Sequence, residues 1–202
     1  MKYLFFILIG IAIISCQSQT KTDLLSLKLD ADLSSIIQDD KQFKKNQDPN
    51  LGLICYNTSK LDNYYIGEIK LTTYSFPNGN VADYNNLSIF VTNKNKDNYI
   101  GFKYNSVNQE ETKYIVNYLK KIYPNYNQSD TRGHGNSYFW DIPKINAWIF
   151  TSQGISVDKN GNNFFSTNFI FVKKGTRIEN SADTNINTIY DDYKMGYPDL
   201  LK

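Results

Sequence analysis

Few residues in this chain have the types and spacing to do chemistry. Cys16 and Cys55 are its cysteines, and His134 is its sole histidine. A catalytic thiol needs an exposed, electropositive setting and a neighbouring base. Cys55 stands in Leu51-Gly52-Leu53-Ile54-Cys55-Tyr56, with no cation near it in sequence. It reads as a small hydrophobe in a buried strand. His134 lies between Gly133 and Gly135, beside Asp130 and Arg132, in a polar stretch that reads as a surface loop. Glycine lets backbone approach a ligand closely and His titrates near neutral pH, so His134 is kept as a candidate binding residue. A zinc site takes three or four protein ligands. One histidine, with no HExxH or CxxC motif, argues against one, and no metal or cofactor is expected.

The other polar groupings are weaker. Asp158-Lys159-Asn160-Gly161-Asn162 starts like a calcium loop. Its glycine comes fourth rather than sixth, and Phe169 stands where the twelfth-position Glu belongs. A hairpin turn fits better. Asp39-Asp40 and Asp191-Asp192 are adjacent pairs, which on a helix point about 100° apart and make no dyad. Glycine-rich phosphate loops and the GxSxG elbow are absent.

The aromatics are more suggestive. Tyr138-Phe139-Trp140 and Trp148 flank one expected hairpin. Strand alternation puts Tyr138 and Trp140 on one face and Phe139 on the other. Tyr138, Trp140, Trp148 and His134 form the candidate binding surface, suited to sugar stacking or to a protein partner. Core packing is the competing reading for each ring.

Length and composition bound the rest. The chain has 202 residues, 41% hydrophobic and 21% charged, which suits one ordered domain and excludes compositional disorder. The formal net charge of +2 creates no field for nucleic acid, and none is expected as a partner. Arg132 and Arg177 are the only arginines, so bidentate phosphate recognition has little to work with.

The N-terminus carries an address. Met1-Lys2 precedes an apolar run from Tyr3 to Ile14, then Ser15-Cys16. The run is too short to span a bilayer core, which takes about 20 residues, but suits a signal-peptide core. Ile13-Ile14-Ser15-Cys16 resembles the bacterial lipoprotein box: two aliphatic positions, a small residue, then an obligatory Cys. The resemblance implies cleavage before Cys16, a diacylglyceryl thioether on its sulfur and an acyl chain such as palmitate on its amine. Several chains are what stable anchoring requires. Gln17 stands where the family's inner-membrane retention signal has Asp, which implies the outer membrane. Residues 1–15 thus read as the signal peptide, 16–24 as a polar tether and 25–202 as one domain.

Within that domain, a helix is expected from about Asp30 to Lys44, on Leu33, Ile36, Ile37 and Phe43, followed by a loop to Asn50. Strands follow at Leu51–Tyr56, Tyr64–Phe76, Leu87–Thr92 and Tyr99–Tyr104. Asn108 with Glu111 forms a capping-box pattern, opening a helix over Gln109–Tyr123 that Pro124 ends. Strands at Tyr138–Ile142, Ala147–Ser152 and Asn168–Lys173 come next. Ile186, Ile189, Tyr190 and Tyr193 suggest a short terminal helix. Ile89, Val91, Ile115, Leu119, Ile122, Trp148, Ile170 and Val172 are the expected core.

The fold class is therefore α+β: antiparallel sheet with helices on one face. A tandem of helix-plus-sheet units, over roughly 30–105 and 107–173, is possible on topology. This order is similar to that of small secreted inhibitor or immunity-type proteins. The expected function is a lipid-anchored, non-catalytic binding module of the cell envelope, for a protein partner. A carbohydrate- or peptidoglycan-associated module is the alternative, and a hydrolase using Cys55 or His134 is the less favoured one.

Overall fold

The computed structural model describes residues 21–37, 40–80, 83–92, 97–130 and 135–201. Cys16 and His134 lie outside the described residues. The domain is mainly antiparallel β-sheet with two α-helices.

Its strands are β1 (Thr22–Asp23), β2 (Lys44–Gln47), β3 (Ile54–Thr58), β4 (Tyr64–Ile66), β5 (Ile69–Lys70), β6 (Asn86–Val91) and β7 (Tyr99–Ser106). After helix α1 (Gln109–Ile122) come β8 (Asn127–Asp130), β9 (Asn136–Ile142), β10 (Ala147–Val157) and β11 (Asn163–Lys173), then α2 (Ile189–Gly196). Eight strands form one sheet in the order β2-β3-β6-β7-β11-β10-β9-β8, antiparallel throughout. Two meanders thus each run from an outer edge to the centre, where β7 meets β11. The strands β1, β4 and β5 make a small separate sheet.

Alternation along the strands builds two cores, one on each face. Ile89, Tyr104, Trp140, Ile149, Phe169 and Phe171 join α1 residues Ile115, Val116 and Leu119 in the first. Phe90, Phe139, Phe150, Ile170 and Val172 join Leu53, Leu200 and α2 residues Ile189 and Tyr193 in the second. In β7 the register slips by one residue, so Ile100 joins the second core while Phe102 joins the first. The expectation of helices on a single face is corrected for α2. Strands with apolar residues on both sides, such as Phe169-Ile170-Phe171-Val172, demand a cover on each.

Other expectations shift for local reasons. The helix expected over 30–44 is replaced by a 3₁₀ turn at Leu33–Ser35, capped by Asp32, a second at Asp40–Gln42, and edge strand β2. Its Leu33, Ile36 and Ile37 still reach the first core. The polar sequence Lys44-Lys45-Asn46-Gln47 gives β2 no strand periodicity, as is common for an edge strand protected by lysines. Residues 22–24, expected to belong to a polar tether, pack with the domain instead: Thr22 N–H donates to Asn63 O, 2.8 Å, and Leu24 is fully buried. Ile122, expected in the core, is exposed, and Trp148 is half-buried; the other six expected core residues are buried.

The N-terminus of α1 forms only half of the capping box. Asn108 Oδ1 accepts from the N–H groups of Glu110 and Glu111, at 3.1 and 3.2 Å. The Glu111 carboxylate turns inward instead of back to Asn108. There it accepts from Thr72 N–H (2.9 Å), Thr72 Oγ1 (2.5 Å), Asn85 Nδ2 (3.3 Å) and the Tyr104 hydroxyl. This joins α1 to β7 and to the loops before β6. Gly67 (φ 60°) lets the β4–β5 turn lie against α1: a Cβ there would run into the Tyr118 ring.

Candidate binding site

The three aromatic members of the expected surface are not brought together, and His134, its fourth member, lies outside the described residues. Tyr138 and Trp140 lie in the first core, and Trp148 lies on the opposite face against Phe150 and Tyr190. The split between Tyr138/Trp140 and Phe139 follows the expected alternation. Both faces are covered, however, so alternation sends the rings into packing rather than into solvent. The Lys120 ammonium stands 4.3 Å from the Tyr138 ring centroid, closing that ring off. The indole N–H of Trp140 donates to Tyr123 O, 3.0 Å.

Cys55 points into the second face and is buried, as its apolar context implies. Desolvation, reinforced by the Asp48 charge and partly offset by Lys103, pushes its thiol up to about 11. At neutral pH it is a thiol, not a thiolate. Native protein should therefore react with a thiol reagent at pH 7 far more slowly than urea-unfolded protein, with the rate rising toward alkaline pH. Equal native and unfolded rates would show that Cys55 is accessible.

The second face carries a feature that single-residue motifs do not reveal. Beyond the part covered by α2, its side chains become polar across four strands. Asn86 of β6, Asn105 of β7 and Asn168 of β11 are in register as one cross-strand row. Asn57 of β3, Ser88 of β6 and Lys103 of β7 form the next. Together with Ser166, and with residues 46–49 at the rim, they line a cleft of about 300 Å³.

Its charges compensate each other. The Lys103 ammonium is ion-paired with Asp48, whose side chain is 2% exposed. The other Asp48 oxygen accepts from the N–H groups of Asn50 (3.0 Å) and Leu51 (2.9 Å). Asn105 Nδ2 donates to Tyr84 O, 3.1 Å. The buried Asn57 Oδ1 has no hydrogen-bond partner among the described residues. Amides neither accept nor release protons at ordinary pH, so this array suits recognition by hydrogen bonding. The sequence signal was present in Asn86-Leu87-Ser88-Ile89 and Lys103-Tyr104-Asn105, where polar residues alternate with apolar or aromatic ones, and in the polar run Ser166-Thr167-Asn168. Only the pairing register gathers them.

A third feature is the β10–β11 ribbon. These strands pair over Ala147–Val157 and Asn163–Lys173, whereas β9 leaves β10 at Thr151 and β7 leaves β11 at Thr167. The end beyond those pairs, whose tip is held by Lys159 N–H donating to Asn78 O (2.9 Å), carries Ile155, Val157 and Phe165 on the face that α1 shares, 39%, 47% and 37% exposed. On its other face Phe164 stacks on Phe76, with centroids 4.1 Å apart. The turn at its tip is the expected hairpin, with Asp158 Oδ1 accepting from Asn160 and Asn162 N–H, both 2.8 Å.

Among the described residues no group of three or more His, Cys, Asp and Glu is placed to hold a metal ion. No helix among them is long and apolar enough to cross a membrane. In comparisons with protein families, curated proteins and solved structures, nothing matches this chain.

Proposed function

We propose that this chain is a lipid-anchored, non-catalytic binding module of the cell envelope, acting on a protein partner in the manner of an inhibitor or immunity protein. The anchor is Cys16, on the resemblance of Ile13-Ile14-Ser15-Cys16 to the lipoprotein box, and the outer membrane is the destination implied by Gln17. The observation that carries the binding reading is the ribbon. It outruns both neighbouring strands and leaves Ile155, Val157 and Phe165 in solvent on one side. Exposed apolar side chains grouped on a rigid projection are the usual anchor of a protein interface.

The tandem organisation belongs to the same proposal. Each four-stranded meander follows a helical segment, the Leu33–Ser35 turn in one half and α1 in the other, and both segments feed the first core.

The test uses the full acylated chain in membranes. Wild type should sediment with membranes and cross-link to a discrete partner, and Cys16→Ser should be released to the soluble fraction. Val157→Asp and Phe165→Ser, both at exposed sites, should keep the fold and lose the cross-linked partner about tenfold or more. Membrane retention of Cys16→Ser would overturn the anchor. Partner capture unchanged in both ribbon variants would overturn the ribbon as the interface.

A further inference from the structure

We propose that the asparagine-lined cleft on the second face of the sheet is a binding site for a neutral saccharide, separate from the protein-binding ribbon. The argument begins with the ligand's charge. Lys103 and Asp48 neutralise each other at the cleft wall, and among the described residues no other charged side chain lines it. A charged ligand would find no net counter-charge there, whereas a neutral polar one meets no such penalty.

Hydrogen-bonding capacity narrows the class further. Asn57, Asn86, Asn105 and Asn168 each carry a carbonyl acceptor and an amide donor on adjoining strands. Vicinal hydroxyls, each both donor and acceptor, are the matching chemistry. Asn57 Oδ1 adds to this capacity, as an acceptor at the cleft wall that has no hydrogen-bond partner among the described residues. Apolar ligands are disfavoured, because among the described residues the lining offers only Pro49 and Cys55 as apolar groups. An extended peptide is disfavoured as well: the cleft lies on a sheet face, where backbone groups are already paired, not on an open edge. The volume of about 300 Å³ suits one or two sugar rings.

Among the described residues no aromatic ring lines the cleft, so the expected affinity is weak, about 0.1–5 mM. The probes are N,N′-diacetylchitobiose and maltotriose, with a uronic-acid disaccharide as the charged control. They are titrated into the soluble Cys16→Ser chain and followed by the side-chain amide NMR signals of Asn57, Asn86, Asn105 and Asn168. At least one neutral probe should shift these signals saturably, and the charged control should bind about tenfold more weakly or not at all. Asn57→Leu and Asn168→Ala should each weaken binding about tenfold. Asn168 is part-exposed, so its variant decides the matter if Asn57→Leu does not fold. The site is overturned by no saturable shift up to about 20 mM of either neutral sugar. It is overturned equally by binding unchanged in the folded variants, or by the charged sugar binding as tightly. Val157→Asp should leave sugar binding intact, which separates failure of this site from failure of the ribbon.

Discussion

Glu111→Ala should destabilise the domain by about 1–3 kcal/mol, the cost of leaving buried hydrogen-bond donors without their acceptor. Its carboxylate is 5% exposed by residue and collects four donors from three separate segments. Taking it away strands the Thr72 N–H and hydroxyl and the Tyr104 phenol at once, while the Asn85 amide keeps Thr72 O (3.0 Å) and the Tyr104 oxygen (2.8 Å). Asn85 is itself committed, since its Oδ1 accepts from Val107 N–H at 2.8 Å. Urea unfolding at pH 7 measures the effect, and a midpoint within error of wild type would show that the network contributes nothing.

The same carboxyl makes a pH prediction. Desolvation raises its pKa, opposed by the hydrogen bonds from Thr72 and Tyr104. A folded value above the unfolded one means that the folded chain holds more protons between the two. Its contribution to stability is fully present below the unfolded carboxylate value, about 4.3, and is lost as pH rises through the folded value. Glu111→Gln cannot titrate, so its stability relative to wild type should rise over that window. A constant difference from acid to neutral pH would contradict the shift.

Trp140→Ala should cost about 3–5 kcal/mol, as for deletion of a fully buried aromatic. The indole is wholly buried, packs against Tyr126 and Tyr138 at 5.8 and 5.7 Å, and holds the end of α1 through Tyr123 O. Trp140→Phe keeps a ring but leaves Tyr123 O without this donor, so a loss of about 1–2 kcal/mol is expected. Thermal melts of both variants separate packing from hydrogen bonding. A Trp140→Ala protein that melts with wild type would return Trp140 to the surface and revive the aromatic binding face.

Glu111 and Trp140 also show how far local reading reaches. The Asn108–Glu111 spacing marked the start of α1 correctly, because capping depends on residues within one turn. Where the Glu111 carboxylate went depended on Thr72, Asn85 and Tyr104, residues brought in by folding. Tyr138 and Trp140 were placed correctly on one side of a strand. Whether that side met solvent or α1 was not written in the strand itself.

The sequence by itself determined the local features: the lipobox-like start, the positions of β3, β6, β7 and β9–β11, α1 between Asn108 and Pro124, the Asp158 hairpin turn and the apolar setting of Cys55. Each follows from periodicity, caps and turn residues acting over a few positions. The one strand expected over Tyr64–Phe76, by contrast, is two short ones, β4 and β5, in the separate sheet. Only the tertiary structure decided that both sheet faces are covered, that the ribbon projects beyond its neighbours, and that Asn57, Asn86, Asn105 and Asn168 share one cleft. Those features depend on strand register and on packing between residues as much as 111 positions apart in sequence, from Asn57 to Asn168. A shift of one residue in pairing would send every one of these amides to the other face.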